Sequence, residues 1–304
     1  MATVTAAQVN ELRNLTGAGL MDCKKALTEA NGDVQAAIDF LRKKGAKVAE
    51  LRAGRAAAEG VVIAKTSADN KKGVAVYLSC ESDFVAKNDS FVKFATDVAE
   101  LALEKAPATL EALLELDLNG STVKAQVQEK VSAIGELINV SAYETIAGES
   151  VVAYNHMGNK IGVLVKLNNS GSTNTVEIEE LAKNIAMHVA AAQPQAEYID
   201  KTKIPSEILE NERRIELGKE DLAKKPKEIA EKIVQGRLDK ILSQRCLLDQ
   251  PYIKDQTITI EKLIKDKSKQ LNTDIHVVQF VRYNVGETIE KSSSLDHKTT
   301  VSIS

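Results

Sequence analysis

Residues 73–78 read Gly-Val-Ala-Val-Tyr-Leu, and residues 162–167 read Gly-Val-Leu-Val-Lys-Leu. Both stretches alternate in the manner of β-strands and agree position by position in pattern. A second alternating run lies upstream of each, at 60–65 and at 151–156. The sequence therefore predicts two copies of one unit, each of which opens with a β-hairpin.

The downstream segments of the two copies also correspond. An amphipathic helix that ends at a proline follows each hairpin, over 94–107 and 181–194. A closing strand follows at 138–146 and 277–285, and each is succeeded by a Gly-Glu pair. Two β-β-α-β copies predict an α+β fold with a duplicated core, in which each antiparallel sheet is covered by helices on one face.

The N-terminal segment predicts a compact unit of three helices. Thr5 to Gln8 has the pattern of a capping box, and Gly17 is placed to end the first helix. Asn31-Gly32 ends the second helix and Asp33 caps a third, which we expect to end at Gly45. The segment that follows has no strong apolar face, so we predict a linker with helical tendency.

The second copy carries an insertion between its helix and its closing strand. Residues 205–222 and 226–242 predict two helices that form an antiparallel coiled-coil hairpin, with Ile208, Ile215 and Leu222 at heptad spacing on the first. Val234, Leu238 and Ile241 form the predicted stripe on the return helix, and a further helix is expected at about 259–270. The predicted organisation is a three-helix domain (1–45), a linker (46–58), core subdomain 1 (59–149), core subdomain 2 (150–290, including the hairpin insertion at 204–245) and a disordered Ser/Thr-rich tail (291–304).

Composition excludes several classes of protein. The chain has 304 residues, a net charge of −3 and 4% aromatic residues, which argues against nucleic acid as the main partner. No signal-like N-terminus and no long apolar run are present, so we expect no membrane partner and a cytoplasmic location. Cys23, Cys80 and Cys246 are far apart, so we expect reduced and mostly buried thiols.

Sequence motifs of catalysis are missing. The four histidines form no zinc-protease pair, and no Gly-x-Ser-x-Gly elbow occurs. Residues 16–24 superficially resemble a phosphate loop, but they lack the second Gly before the Lys and follow a predicted helix. We therefore expect no enzyme activity, no cofactor, no metal site and no direct nucleotide binding.

The stretch Ser82-Asp83-Phe84-Val85 lies between a strand and a helix in the first copy, whereas the second copy has a bland polar loop. Phe84 either packs into the sheet–helix core or is exposed as an interface anchor. Two other functions remain open: a non-catalytic scaffold or RNA-binding protein that uses 46–58, and an enzyme with an unrecognised carboxylate site.

Several stretches resemble the bacterial elongation factor Ts family. They are LRNLTGAGLMDCKKAL at 12–27, SDFVAK at 82–87, IAMHVAA at 185–191 and KPKEIA at 225–230. They occur in one order along nearly the whole chain, which makes the resemblance specific. Ser82 stands where the family usually has Thr, and Leu20 replaces a frequent Met, which puts affinity rather than role in doubt.

The resemblance implies a guanine nucleotide exchange factor for the GTPase elongation factor Tu. It also implies a UBA-like N-terminal domain and a coiled-coil hairpin. The implied residues that dislocate the Mg²⁺ of the partner are Ser82, Asp83, Phe84 and Val85. The implied partner-binding residues are Arg13, Leu20, Met21, Lys24 and His188, of which His188 would face a different domain of Tu.

Overall fold

The computed structural model describes residues 4–52, 56–171, 175–222, 225–289 and 302–303. It combines helices with antiparallel sheets, as the α+β prediction required. No helix among the described residues is both long and apolar enough to span a bilayer.

Three helices form the N-terminal unit: α1 (Ala6–Thr16), α2 (Leu20–Glu29) and α3 (Val34–Arg52). The Thr5 capping box is present, and Gly17 ends α1 in the left-handed conformation at φ 69°. The Asp33 side chain accepts a hydrogen bond from the amide of Ala36, so it caps α3. Their small core consists of Val9, Leu12, Ala18, Cys23, Ala26, Leu27, Ala37 and Leu41.

The expected end of the third helix at Gly45 was wrong, because α3 continues to Arg52. A Cβ on Gly45 would stand 2.2 Å from the carbonyl oxygen of Gln128. The glycine therefore permits close approach of two helices rather than ending one. The first part of the predicted linker is helical, and residues 53–55 within it lie outside the described residues.

The first copy contains three strands and four helices: β1 (Glu59–Thr66), β2 (Lys72–Cys80), α4 (Asp83–Ala86), α5 (Asp89–Lys105), α6 (Leu110–Leu114), α7 (Val123–Ile134) and β3 (Asn139–Ala147). The second copy and its insertion contain β4 (Ser150–His156), β5 (Ile161–Asn168), α8 (Thr175–Ala191), α9 (Ser206–Leu217), α10 (Lys227–Arg245), β6 (Pro251–Tyr252), β7 (Asp255–Thr259), α11 (Ile260–Leu271) and β8 (His276–Asn284). Each copy forms an antiparallel three-stranded sheet, in the orders β1-β2-β3 and β4-β5-β8.

The strand registers confirm the duplication. Gly73 pairs with Thr66 on one side and Ile146 on the other, and Gly162 pairs with Asn155 and Tyr283 in the same way. The irregularity of each ladder also recurs, between positions 77 and 78 and between positions 166 and 167. Two sheets that share both register and bulge position are structural repeats.

The structure adds a helix to the predicted repeat. Helices α7 and α11 each have 12 residues and precede the closing strand of their copy. Thr122 and Thr259 cap their N-termini, and Gly135 and Asn272 end them in the left-handed conformation. The repeat is therefore β-β-α-α-β rather than β-β-α-β.

Each sheet packs against other elements on both of its faces. Helices cover the outer faces, whereas the inner faces pack against each other around Val62, Ala75, Val151 and Leu164. This sandwich explains why nearly every residue of β2 is buried.

Helices α9 and α10 pack against each other in the insertion. They run antiparallel, because Glu212 contacts Arg245 while Glu216, further along α9, contacts Arg237 earlier in α10. The predicted stripes were partly wrong. Ile215 is exposed and Ile241 is half-buried, and the buried positions of α10 are Ala230, Val234, Leu238 and Leu242.

The predicted disordered tail falls largely on residues outside the described ranges, which end at 289 and resume only for 302–303. Strand β10 (Ser302–Ile303) pairs antiparallel with β9 (Thr288–Ile289), so these two tail residues differ from the expectation.

Candidate functional site

The Asp-Phe segment forms a short helical turn, α4, at the end of β2. Ser82 has an extended backbone and caps this turn, since its Oγ accepts a hydrogen bond from the amide of Val85 at 3.4 Å. Ala86 is buried and Val85 packs against the core of the first copy. The inward side of α4 is thus fixed by packing, which leaves the opposite side facing solvent.

Phe84 occupies that solvent side and is 84% exposed. The alternative in which Phe84 packs into its own core was wrong. Beside it, Lys87 donates a hydrogen bond of 2.7 Å to Asp83, which lowers the pKa of that carboxyl. The turn therefore presents an aromatic ring next to a carboxylate that is already ionised.

Two carboxylates hold the turn at its start. Glu136 accepts hydrogen bonds from the amide and the hydroxyl of Ser82, at 3.0 and 2.7 Å. Glu81 accepts from the amide of Leu137 at 2.7 Å and from the guanidinium of Arg52 at 2.8 Å. Sequence reasoning missed both groups, because their partners lie far away in the chain.

A second exposed surface surrounds the turn between α1 and α2. Leu20 and Met21 begin α2 and are exposed, Met21 by 72%. Arg13 and Lys24 are exposed near them in the chain. Leu15 is exposed as well, although its helical spacing with Val9 and Leu12 had indicated the apolar face of α1. Three exposed apolar side chains and two exposed basic side chains therefore lie close together in the chain around this turn, which makes it a candidate contact region.

His188 does not lie at the surface as its expected role requires, because it is only 1% exposed. Its Nδ1 accepts a hydrogen bond from the amide of Ile253, so its proton is on Nε2, which contacts Gln250 Oε1 at 2.9 Å. Burial lowers the pKa of His188, against the opposing effect of the Gln250 hydrogen bond. The imidazole is a neutral link between α8 and the chain after α10.

The cysteines match their prediction, since Cys23, Cys80 and Cys246 are all free and buried. Burial raises the pKa of the Cys80 thiol to about 12, so this thiol is unreactive at neutral pH. Within the described parts of the chain, no group of three or more His, Cys, Asp or Glu residues could hold a metal ion.

A duplicated α+β scaffold with an exposed aromatic residue on a hydrogen-bonded turn, and with exposed apolar residues at the start of α2, has the features of a protein that acts by contact with another protein. The sequence profile of the elongation factor TS family matches residues 81–287. Elongation factor Ts of a Nostoc species is 44% identical over 305 residues, covering 97% of this chain and 96% of the relative. The proteins of the same name from Nostoc punctiforme and Thioalkalivibrio sulfidiphilus are 43% and 42% identical, each covering 96% of this chain and 95% of the relative. The chain belongs to the elongation factor Ts family, and it acts in translation elongation as a nucleotide exchange factor for elongation factor Tu.

Proposed function

We propose that the protein releases GDP from elongation factor Tu by inserting Phe84 into an apolar gap of that GTPase. The observation that carries the proposal is an aromatic side chain that is 84% exposed on a turn held in place. Because the backbone that carries Phe84 is already ordered, binding costs little backbone entropy, and burial of the ring can be used to distort the partner.

The target of the distortion is the Mg²⁺ and phosphate site of Tu. Such a GTPase holds GDP through backbone amides around the phosphates and through Mg²⁺. Because Mg²⁺ requires near-ideal octahedral geometry, a small displacement of its ligands removes much of its binding free energy. Asp83 orients the turn or competes for the polar groups around that site, while Ser82 and Val85 fix its base.

Contacts elsewhere supply the free energy that the distortion consumes. Arg13, Leu20, Met21 and Lys24 anchor the N-terminal unit on the nucleotide-binding domain of Tu. Coupling is reciprocal, so bound GDP must lower the affinity of Tu for this protein by the same factor by which this protein lowers the affinity of Tu for GDP. A 10⁴-fold effect requires about 5.5 kcal/mol of differential binding, which a few buried anchors can provide.

The finer architecture is part of the same proposal. We assign a UBA-like fold to the N-terminal helices and a coiled-coil role to the hairpin at 204–245, and we place the two core subdomains at 59–149 and 150–290. The exchange reaction needs no covalent step, so the protein is not an enzyme in the chemical sense. We place it in the cytoplasm, without a membrane partner, a nucleic-acid partner or a nucleotide of its own.

The experiment is stopped-flow release of a fluorescent GDP analogue from Tu, measured against the concentration of this protein. Phe84→Ala should retain Tu binding within about tenfold and lose most of the acceleration. Val176→Ala truncates another exposed apolar side chain, 73% exposed on α8, and should behave as wild type. Full acceleration by the Phe84 variant would refute the proposed insertion of Phe84 into Tu, which we call the wedge.

A further inference from the structure

The two copies differ in how the end of the hairpin is joined to the closing strand. In the first copy the carboxylate of Glu136 accepts hydrogen bonds from the amide and hydroxyl of Ser82, at 3.0 and 2.7 Å. In the second copy the position equivalent to Glu136 is Thr273, whose hydroxyl donates to the carbonyl oxygen of Asn169 at 3.0 Å. The carboxylate that accepts two hydrogen bonds from the end of the hairpin therefore occurs in the copy that carries Phe84.

The bonds to Glu136 fix the orientation of Ser82. The Ser82 hydroxyl donates its proton to Glu136 and accepts from the amide of Val85 through a lone pair, so its rotamer is determined. Hydrogen bonds to an ionised carboxylate are about twice as strong as those between neutral groups. Ser82 is the N-cap of α4, so the same bonds set the direction of the helical turn.

The position of Glu136 is itself well defined. It follows Gly135, which ends α7 in the left-handed conformation at φ 79°. The adjacent amide of Leu137 donates to Glu81, which directly precedes Ser82 in the chain. Residues 81–82 and 136–137 are thus joined by two carboxylates, that of Glu81 from one segment and that of Glu136 from the other.

Phe84 has little packing of its own to orient it, since 84% of its surface is open to solvent. We infer that Glu136 is a positioning residue for nucleotide exchange, which holds Ser82 and thereby aims Phe84 at the partner. This inference rests on the proposed function of Phe84. Glu136 acts through Ser82, so its loss should lower the rate of the distorting step more than the affinity for Tu.

The test measures GDP release from Tu at increasing concentrations of the full-length protein, which separates the maximal rate from the half-saturating concentration. Glu136→Ala should lower the maximal rate about tenfold, the scale of one hydrogen bond to a charged group. Its half-saturating concentration should change less than threefold. Glu136→Gln keeps an oxygen acceptor of the same reach, so it should recover part of the rate.

Thr273→Val is the matched control, because it removes the hydrogen bond made by the residue that corresponds to Glu136 in the other copy. It should retain the wild-type maximal rate. Thermal melting of every variant identifies loss of folding, and if Glu136→Ala is unfolded, the isosteric Gln variant carries the same test. A folded Glu136 variant with an unchanged maximal rate, or with a change in half-saturation alone, overturns the inference.

A double-variant cycle separates this inference from the proposed function. If Glu136 acts through Phe84, then Glu136→Ala should have no further effect in a Phe84→Ala protein. Additive losses in the double variant would overturn the positioning role while leaving the wedge intact. Full acceleration by Phe84→Ala alone would instead refute the wedge, and the inference would fall with it.

Discussion

A Cβ atom placed on Gly162 would stand 2.4 Å from Cγ1 of Val62, in the opposite sheet. The equivalent pair in the other direction is Gly73 and Val151, at 2.7 Å. In each copy, one glycine therefore packs directly against a valine side chain of the other copy. The two sheets approach each other closely at both places. This reciprocal packing joins the two copies into one sandwich.

Gly162→Ala should destabilise the protein, because the added methyl group must displace a packed valine. Overpacking of this kind costs about 1–3 kcal/mol in the free energy of unfolding. Chemical denaturation monitored by circular dichroism measures the change.

Gly236→Ala provides a control of opposite sign. Gly236 lies within α10, and a Cβ there would have nothing within 4 Å. Alanine favours a helix interior over glycine by about 0.5–1 kcal/mol, so this variant should be as stable as wild type or more so. Equal destabilisation by both substitutions would argue against close packing of the sheets.

Gly45→Ala should loosen the N-terminal unit from the core. The new methyl group would meet the backbone oxygen of Gln128 on α7, which cannot rotate away. The Arg42 guanidinium, which donates to Glu129 at 2.6 Å across the same helix pair, would be displaced as well. Hydrogen exchange should become faster in α3 and α7 but remain unchanged in β5 and β8, and unchanged exchange in α3 would contradict this contact.

Met21→Ala should weaken the binding of Tu without lowering the maximal rate of GDP release. Truncation of an exposed interface anchor costs about 1–2 kcal/mol of binding free energy. The stability of the protein itself should change by less than about 0.5 kcal/mol, because Met21 is 72% exposed. Titration calorimetry and stopped-flow release together separate affinity from rate, and a loss of rate at saturation would contradict the anchoring role.

Stability should fall as the pH drops below about 6.5, in part through His188. Unfolded chains protonate histidine near its ordinary pKa of 6.5, whereas the folded protein keeps the buried imidazole neutral because its pKa is lowered. The contribution of His188 is therefore complete above that pH and is lost as the pH decreases.

His188→Gln should show a smaller loss of stability between pH 7 and pH 5 than wild type, measured by denaturant unfolding at each pH. The variant is expected to be less stable at pH 7, since it disturbs the contacts to Gln250 and Ile253. An unchanged slope in His188→Gln would contradict the neutral, buried state.

The core strands and their helices were predictable because their periodicity is local. The alternation at 73–78 and 162–167 correctly predicted β2 and β5. Similar alternating runs just upstream predicted β1 and β4, which pair with them. The correspondence of α7 with α11 was missed, since amphipathic helices with different side chains share no evident sequence pattern. Gly45 was misinterpreted because a glycine at a helix contact and a glycine at a helix end look alike in sequence.

The site divided in the same way. The order of residues alone marked Asp83 and Phe84 as unusual and left the burial of Phe84 open. It could not identify Glu136, which meets Ser82 only after the chain has passed through α5, α6 and α7. It also did not predict that His188 is buried and hydrogen-bonded to Gln250 and Ile253, which lie in a distant segment of the chain.

Sequence by itself determined the repeat, the type of each long element and the family, because these depend on local side-chain periodicity and on ordered motifs. Tertiary structure alone decided which side chains are exposed, which glycines admit a neighbour and which carboxylates hold the Phe84 turn. The physical reason is that burial and hydrogen bonding depend on segments that are distant along the chain and meet only when the two sheets and their helices pack.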